Sequence, residues 1–181
     1  MEDIPQPSLK RFFGRITRRA FSELFISDNT IIEYISDLLA RFARVENLYR
    51  IKNSAGRRLD TVVEMLIELE RASHPEEPGY SLFREREIQK HLGDYALFMT
   101  GVFRENVVKR AILGYYIAEG KKSYRSVSEF DRVLYRPGAA LFEELSENFE
   151  RFSGALDYMK KVYFRPELHS GPYSSLMREL L

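Results

Sequence analysis

The stretch that decides the fold class is AALFEELSENFERFSGALDYMKKVYF, residues 139–164. Its apolar side chains recur at steps of three and four residues, at Leu141, Leu145, Phe149, Phe152, Leu156, Met159 and Tyr163. That spacing places them on one face of an α-helix, because the helical repeat is 3.6 residues per turn. We therefore predict one long helix from Ala139 to Phe164, roughly 39 Å in length at 1.5 Å per residue. We expect it to end before Pro166, with Gly154 as its weakest point.

The same helical period extends through most of the chain. It predicts further helices around residues 8–26, 31–42, 59–69, 83–99, 108–118 and 124–134. Gly120 would cap the helix at 108–118, and Asp28 or Ser27 would be the N-cap of the one at 31–42. No segment alternates apolar and polar residues with the period of two that a strand needs. The predicted fold class is all-α, a compact bundle of about seven to eight helices with no sheet.

The length of 181 residues suits a single helical domain over residues 1–181. The loop SHPEEPGY at 73–80 is the place where that domain could divide, because it contains two prolines and a glycine. We expect residues 1–7 and 165–172 to be irregular.

Composition excludes several classes of protein. With no cysteine, the chain has no disulfide framework, thiol nucleophile or iron–sulfur cluster. The 28 basic and 27 acidic residues give a net charge of +1, so we do not expect nucleic acid as a partner. The start is acidic and contains prolines, unlike a secretory signal, and no apolar run is long enough to cross a membrane. We expect the protein to be cytoplasmic.

Residues 113–137 loosely resemble one tetratricopeptide repeat, a helical hairpin of about 34 residues. The residues that carry the resemblance are Leu113, Gly114, Gly120, Phe130 and Pro137. The large aromatic residue expected before Leu-Gly is absent, and no second copy occurs about 34 residues away. A stable stack needs about three repeats, so we expect an ordinary helical hairpin here.

His91 and Asp94 are the first candidates for chemistry, as three residues of separation puts them on one helical face. An imidazole and a carboxylate could ligate a metal or act as an acid–base pair. Further metal ligands would have to come from Glu64, Glu68 and Glu147. Because only a pair of ligands is visible, we favour a local hydrogen bond on a helix surface, and we predict neither a metal nor a cofactor.

Gly93 and Gly101 are unusual, since two glycines inside one helix cost about 2 kcal/mol relative to alanine. The cost suggests either close helix packing, which we favour, or a binding pocket. Aromatic residues that could line such a pocket are Tyr95, Phe98, Phe103, Tyr115 and Tyr116.

The N-terminal segment 8–26 combines basic and aromatic residues. Its predicted interaction surface consists of Phe12, Phe13, Arg15, Arg18 and Arg19. That composition suits an anionic membrane, a partner groove or nucleic-acid phosphates. The simpler interpretation is that this helix packs on the protein's own core and keeps its basic face in solvent.

Three functions remain open at this point. We predict a non-catalytic helical protein-interaction or scaffold module, self-associating or bound to a protein partner, with the N-terminal helix and the Leu176–Leu181 tail as exposed apolar candidates. One alternative is a helical-bundle enzyme or a metal- or cofactor-binding protein that uses the helix of His91 and Asp94. Another is peripheral attachment to a membrane or nucleic acid through residues 8–26. No nucleophile or phosphate-loop motif is present.

Overall fold

Nine α-helices lie within the part of the chain that the structure describes. The structure is a computed structural model and describes residues 6–53, 55–59, 61–76 and 80–163. The helices are α1 (Gln6–Glu23), α2 (Asn29–Phe42), α3 (Val45–Leu48), α4 (Val62–Ser73), α5 (Leu82–Gly101), α6 (Arg104–Lys109), α7 (Leu113–Val133), α8 (Ala139–Glu147) and α9 (Phe149–Tyr163). No strand occurs within those ranges, so the all-α prediction is confirmed. None of the described helices is long and apolar enough to cross a lipid bilayer.

Helix α5 is the centre of the fold. Every residue from His91 to Phe103 is buried, because α4, α7 and α9 pack around this helix. Helix α8 lies along α7, and α1 packs on both α2 and α9. One apolar core contains residues from both sides of the loop at 73–80. Phe13 and Leu38 precede the loop, and Phe98 and Phe149 follow it.

Local capping explains where two helices begin. The Asp28 carboxylate accepts hydrogen bonds from the backbone N–H groups of Thr30 (2.7 Å) and Ile31 (3.2 Å), so Asp28 and not Ser27 is the N-cap of α2. Thr61 and Glu64 form a capping box at the start of α4, in which each side chain accepts from the other residue's backbone N–H. Glu64 therefore has a structural role at this helix end.

The prediction of one long helix over 139–164 is wrong, because the chain leaves helical geometry at Asn148 (φ −104°, ψ 22°). The Asn148 side-chain amide donates to the Glu144 carboxylate at 3.0 Å, and its backbone N–H bonds to the Glu144 carbonyl at 3.0 Å. That backbone bond is the ordinary helical one between residues four apart, so the break shows in the Asn148 dihedral angles. Gly154, which we expected to be the weak point, lies inside α9.

The helices predicted at 108–118 and 124–134 are also wrong, because α7 runs from Leu113 to Val133 without interruption. Gly120 is not a helix cap; its backbone packs against the Phe149 ring and the Ala96 methyl group. The break lies earlier, at Ala111, whose φ is 57°. A single helix is not a helical hairpin, so the hairpin suggested by the tetratricopeptide resemblance is absent.

The irregular segments predicted near the two ends of the chain lie largely outside the described residues. Helix α1 begins at Gln6, so the irregular segment expected at 1–7 is wrong for its last two residues. The short helix α3 was not predicted. Residues 165–172 and the Leu176–Leu181 tail lie outside the described residues.

Candidate functional site

A buried carboxylate, Asp94, joins three helices. Its Oδ1 accepts hydrogen bonds from the hydroxyls of Tyr34 on α2 (2.5 Å) and Tyr124 on α7 (2.9 Å). Its Oδ2 lies 3.1 Å from Arg41 Nη2 and 2.9 Å from Lys90 Nζ. The Asp94 side chain is 1% exposed, so all four donors meet a group that water does not reach.

These partners keep Asp94 ionised. Burial by itself raises the pKa of a carboxyl, but the charges of Lys90 and Arg41 and the Tyr34 hydroxyl outweigh it and hold the Asp94 pKa well below its usual range. Burial, and then the nearby carboxylate, raise the pKa of Tyr34 and of Tyr124 well above normal, so both hydroxyls stay protonated. With a low pKa and both oxygens occupied, Asp94 is poorly suited to accept a proton in catalysis.

His91 is buried and bonds to a different partner from the one expected. Its Nε2 lies 3.0 Å from the Leu48 carbonyl oxygen and donates to it, while Nδ1 has no hydrogen-bond partner among the described residues. Burial is the largest influence on the ring and lowers the His91 pKa to about 4, so the imidazole is neutral at pH 7. The Phe42 and Tyr95 rings pack beside it, with centroids 5.6 and 6.5 Å away. The expected surface hydrogen bond between His91 and Asp94 is therefore wrong.

The other candidate metal ligands lie apart from this pair. Glu64 caps α4 and contacts Arg57 at 2.6 Å, and Glu68 faces Arg84 at 3.5 Å. Glu147 lines a polar groove of about 280 Å³ between α7 and α8, together with Arg125, Ser128, Glu129, Arg132, Glu143 and Ser146. Among the described residues, no three His, Asp or Glu side chains converge as a metal ion would require.

Protein side chains fill the space beside the two glycines of α5. A Cβ at Gly93 would lie 2.6 Å from Tyr124 Cδ1, and a Cβ at Gly101 would lie 2.5 Å from Leu156 Cβ. Contacts this short require glycine. The glycines thus serve close packing of α5 on α7 and α9, the interpretation that we favoured over a pocket.

The aromatic residues named as pocket-lining residues pack as neighbours. Tyr95, Phe98 and Phe103 are buried. The Tyr95 ring centroid lies 6.3 Å from that of Tyr116, which lies 6.2 Å from that of the exposed Tyr115. These rings form a row of packed side chains that leads from the core to the surface.

The interaction surface predicted on α1 is partly buried, because its phenylalanines face the core and its arginines face solvent. Phe13 is fully buried and Phe12 partly buried, with ring centroids 5.1 Å apart. Arg15, Arg18 and Arg19 are exposed. Because the apolar face packs on the core, it cannot enter a membrane in the folded protein, and only the basic face remains available.

An apolar surface that sequence analysis did not single out lies where α5 begins and α7 ends. We call it the α5–α7 surface, and its members are Leu82, Phe83, Val133, Leu134 and Tyr135. Val133 is 74% exposed and Tyr135 is 97% exposed. The two segments meet where the Phe83 ring lies 6.4 Å from the Phe130 ring and 5.4 Å from the Arg136 guanidinium.

A buried ion pair fixes this surface in place. Arg86 of α5 donates to both carboxylate oxygens of Asp131 of α7, at 2.6 and 2.7 Å, and Asp131 is fully buried. The Asp131 carbonyl accepts the Arg136 backbone N–H at 2.8 Å. Gly138, with φ 127°, then allows the chain to turn into α8.

The sequence carried one signal for this surface. Val133, Leu134 and Tyr135 are consecutive, and three successive helical positions cannot all face one core. Phe83 gave no such signal, because it is in register with the buried face of its helix and yet is exposed at the helix start.

Comparison with known proteins gives no further guide. No protein-family model matches this chain, and neither the curated proteins nor the solved structures contain a match.

Proposed function

We propose that this protein is a non-catalytic interaction module that self-associates through the α5–α7 surface. The observation that carries the proposal is the clustering of Leu82, Phe83, Val133, Leu134 and Tyr135 on two neighbouring segments. Single exposed apolar side chains are ordinary on a protein surface, whereas several large ones on two neighbouring segments are typical of an interaction site. Aromatic residues such as Phe83 and Tyr135 are also enriched in interfaces.

The charges around the surface suit a second copy of the same chain. A twofold interface places each patch against itself, so unpaired like charges there would repel. Arg86 is neutralised by Asp131, and Arg132 contacts Glu143 at 2.8 Å. Arg136 covers the Phe83 ring. Two of these three arginines therefore bring a counter-charge with them, and Arg136 is the cation that two facing copies have to keep apart.

The polar groups of the interior support a non-catalytic role. Asp94 has both oxygens occupied by four donors, and His91 is neutral and surrounded by aromatic rings. These groups are committed to holding helices together. The Arg86–Asp131 pair likewise holds α5 and α7 together beside the α5–α7 surface. A surface held rigid in this way loses little conformational entropy on binding.

The test measures oligomeric state against concentration by sedimentation velocity. Val133→Glu places a charge in the surface, and Val108→Glu, at a 51% exposed valine of α6, is the matched control. We expect the parent and the control to dimerise and Val133→Glu to weaken dimerisation by about tenfold or more. Thermal unfolding of each variant checks that the fold is retained. A parent that stays monomeric at all concentrations, or equal effects of the two variants, would contradict the proposal.

A further inference from the structure

Three arginines form an exposed row along α1. Arg11, Arg15 and Arg18 are separated by four and three residues, which places them within an arc of about 60° on the helix. All three are exposed, whereas the opposite face of α1 is buried in the core. We call these residues the arginine row.

Three carboxylates near this helix are already engaged by other groups. Asp37 lies 3.0 Å from Lys10. Glu23 accepts hydrogen bonds from the hydroxyls of Tyr158 (2.8 Å) and Tyr163 (2.6 Å). Asp28 caps α2. The positive charge of the row is therefore available to an external anion.

Arg11 and Arg15 have no carboxylate partner within the described residues, and Arg18 donates to the neutral amide oxygen of Asn29 at 2.8 Å. Since Asn29 is the first residue of α2, that bond brings the end of the row beside the turn between α1 and α2. The turn carries a second unusual feature, Phe25.

Phe25 is 90% exposed and has a φ of 56°, a left-handed conformation that favours glycine. The turn is fixed by hydrogen bonds from the Phe25 N–H to the Ser22 carbonyl (3.1 Å) and from the Ile26 N–H to the Phe21 carbonyl (2.9 Å). A large ring held in a strained conformation gains little from packing here, because almost none of it is buried. Ala111 and Tyr135 share this conformation after α6 and α7, and Phe25 differs from them in lying beside the end of the arginine row.

We propose that the arginine row and Phe25 bind the surface of a membrane that contains anionic lipids. Guanidinium groups pair well with lipid phosphates, and a single protruding aromatic ring can insert between head groups. The arginine row spans roughly 10 Å along one face of α1, and a straight row of this kind fits a flat surface. This mode differs from insertion of an amphipathic helix, because the apolar face of α1 stays in the core.

Single-stranded nucleic acid fits the same residues less well. Proteins that bind it use a positively charged groove and several aromatic platforms for base stacking. The arginine row lies on a convex helix face, and Phe25 is the exposed aromatic side chain of the α1–α2 turn. The polar groove described above lies instead between α7 and α8, and it includes three glutamates.

The experiment is co-sedimentation with vesicles of phosphatidylcholine alone and of phosphatidylcholine with phosphatidylserine. All proteins carry Val133→Glu, so that self-association cannot raise the apparent affinity and the result does not depend on the proposed function. We expect binding to the anionic vesicles only. Arg15→Glu with Arg18→Glu should weaken it by about thirtyfold or more, and Phe25→Gly by about fivefold to tenfold.

Matched controls are Lys122→Glu with Arg125→Glu, two exposed cations of α7, and Tyr115→Ala, an exposed aromatic residue of the same helix. We expect both controls to bind as the parent does. Phe25→Gly retains the fold because glycine favours the φ of this position, and thermal unfolding checks this.

The proposal is overturned if the parent fails to bind anionic vesicles, binds neutral vesicles equally well, or is weakened equally by the controls. A fluorescence-anisotropy titration with a single-stranded oligonucleotide separates the two classes of partner. Binding to the oligonucleotide that requires the arginine row, without binding to vesicles, would replace the membrane with nucleic acid as the partner.

Discussion

The ring of Tyr124 packs directly on the backbone of Gly93, so closely that a Cβ at position 93 would lie 2.6 Å from Tyr124 Cδ1. This approach lets the Tyr124 hydroxyl reach Oδ1 of the adjacent residue, Asp94, at 2.9 Å. The glycine and the buried carboxylate therefore belong to one arrangement, in which α5 and α7 cross closely enough to share a hydrogen bond in the core. A side chain at position 93 would move the ring and remove a donor from Asp94.

We expect Gly93→Ala to destabilise the protein. Overpacking a well-filled core costs about 1–3 kcal/mol, which exceeds the gain of about 1 kcal/mol in helix propensity. The matched control is Gly154→Ala on α9, where the position is exposed and a Cβ would meet nothing within 4 Å. The control should raise the free energy of unfolding by up to about 1 kcal/mol. Urea denaturation measures both, and equal shifts for the two variants would contradict the close crossing.

Asp94→Asn should be strongly destabilising. The substitution leaves Arg41 and Lys90 without their buried counter-charge, and removing one partner of such a pair typically costs about 3–5 kcal/mol. Asp37→Asn is the control, because its partner Lys10 is largely exposed and exposed pairs contribute about 0–1 kcal/mol. The difference between the two free energies of unfolding is the measured quantity. A loss below about 1 kcal/mol for Asp94→Asn would show that the network contributes little.

Part of this network could be predicted from the sequence. Lys90 and Asp94 are four residues apart on one helix, and that spacing places opposite charges side by side. Tyr34 is 60 residues from Asp94, and Tyr124 is 30 residues away. No local pattern links residues at such separations, because the crossing of three helices brings them together. His91 shows the same limit, since its partner is a backbone carbonyl 43 residues earlier.

The helical repeat predicted the fold class because burial of one face depends on a period that the sequence displays. The repeat did not predict the helix break at Asn148 or the packing role of Gly120. At Asn148 the backbone leaves helical dihedral angles within an unbroken apolar repeat, so the apolar spacing gives no sign of the break. At Gly120 the contact with Phe149 makes glycine a packing residue, although its sequence context suggested a cap. Apolar periodicity also did not separate exposed Phe83 from the buried residues of α5.

His91 should make the protein less stable as the pH falls. The folded pKa is about 4 against an ordinary value of 6.5, so the unfolded chain takes up a proton first. This contribution is complete above pH 6.5 and is lost as the pH falls to 4, a total of about 3 kcal/mol. In His91→Gln the contribution is absent, whereas other titrating groups act on both proteins. The difference in free energy of unfolding between parent and variant should shrink by about 3 kcal/mol from pH 7 to pH 4.

Nuclear magnetic resonance of the His91 ring provides a direct check. The imidazole should remain neutral at pH 5.5, with the proton on Nε2, because that nitrogen donates to the Leu48 carbonyl. A ring that is mostly protonated at pH 5.5 would contradict both the burial of His91 and the predicted loss of stability.

The left-handed turn at Phe25 allows backbone strain to be separated from side-chain packing. Because the ring is 90% exposed, Phe25→Ala should leave the free energy of unfolding within about 0.5 kcal/mol of the parent. Phe25→Gly should be more stable than Phe25→Ala by about 1 kcal/mol, since a Cβ is disfavoured at φ 56°. Thermal unfolding of the three proteins measures both steps.

If alanine destabilises the fold as much as a buried phenylalanine would, the ring packs in solution and is not available to a membrane. If glycine gives no gain over alanine, the turn does not hold Phe25 under strain, and an exposed ring at this position would no longer need a binding role to explain it.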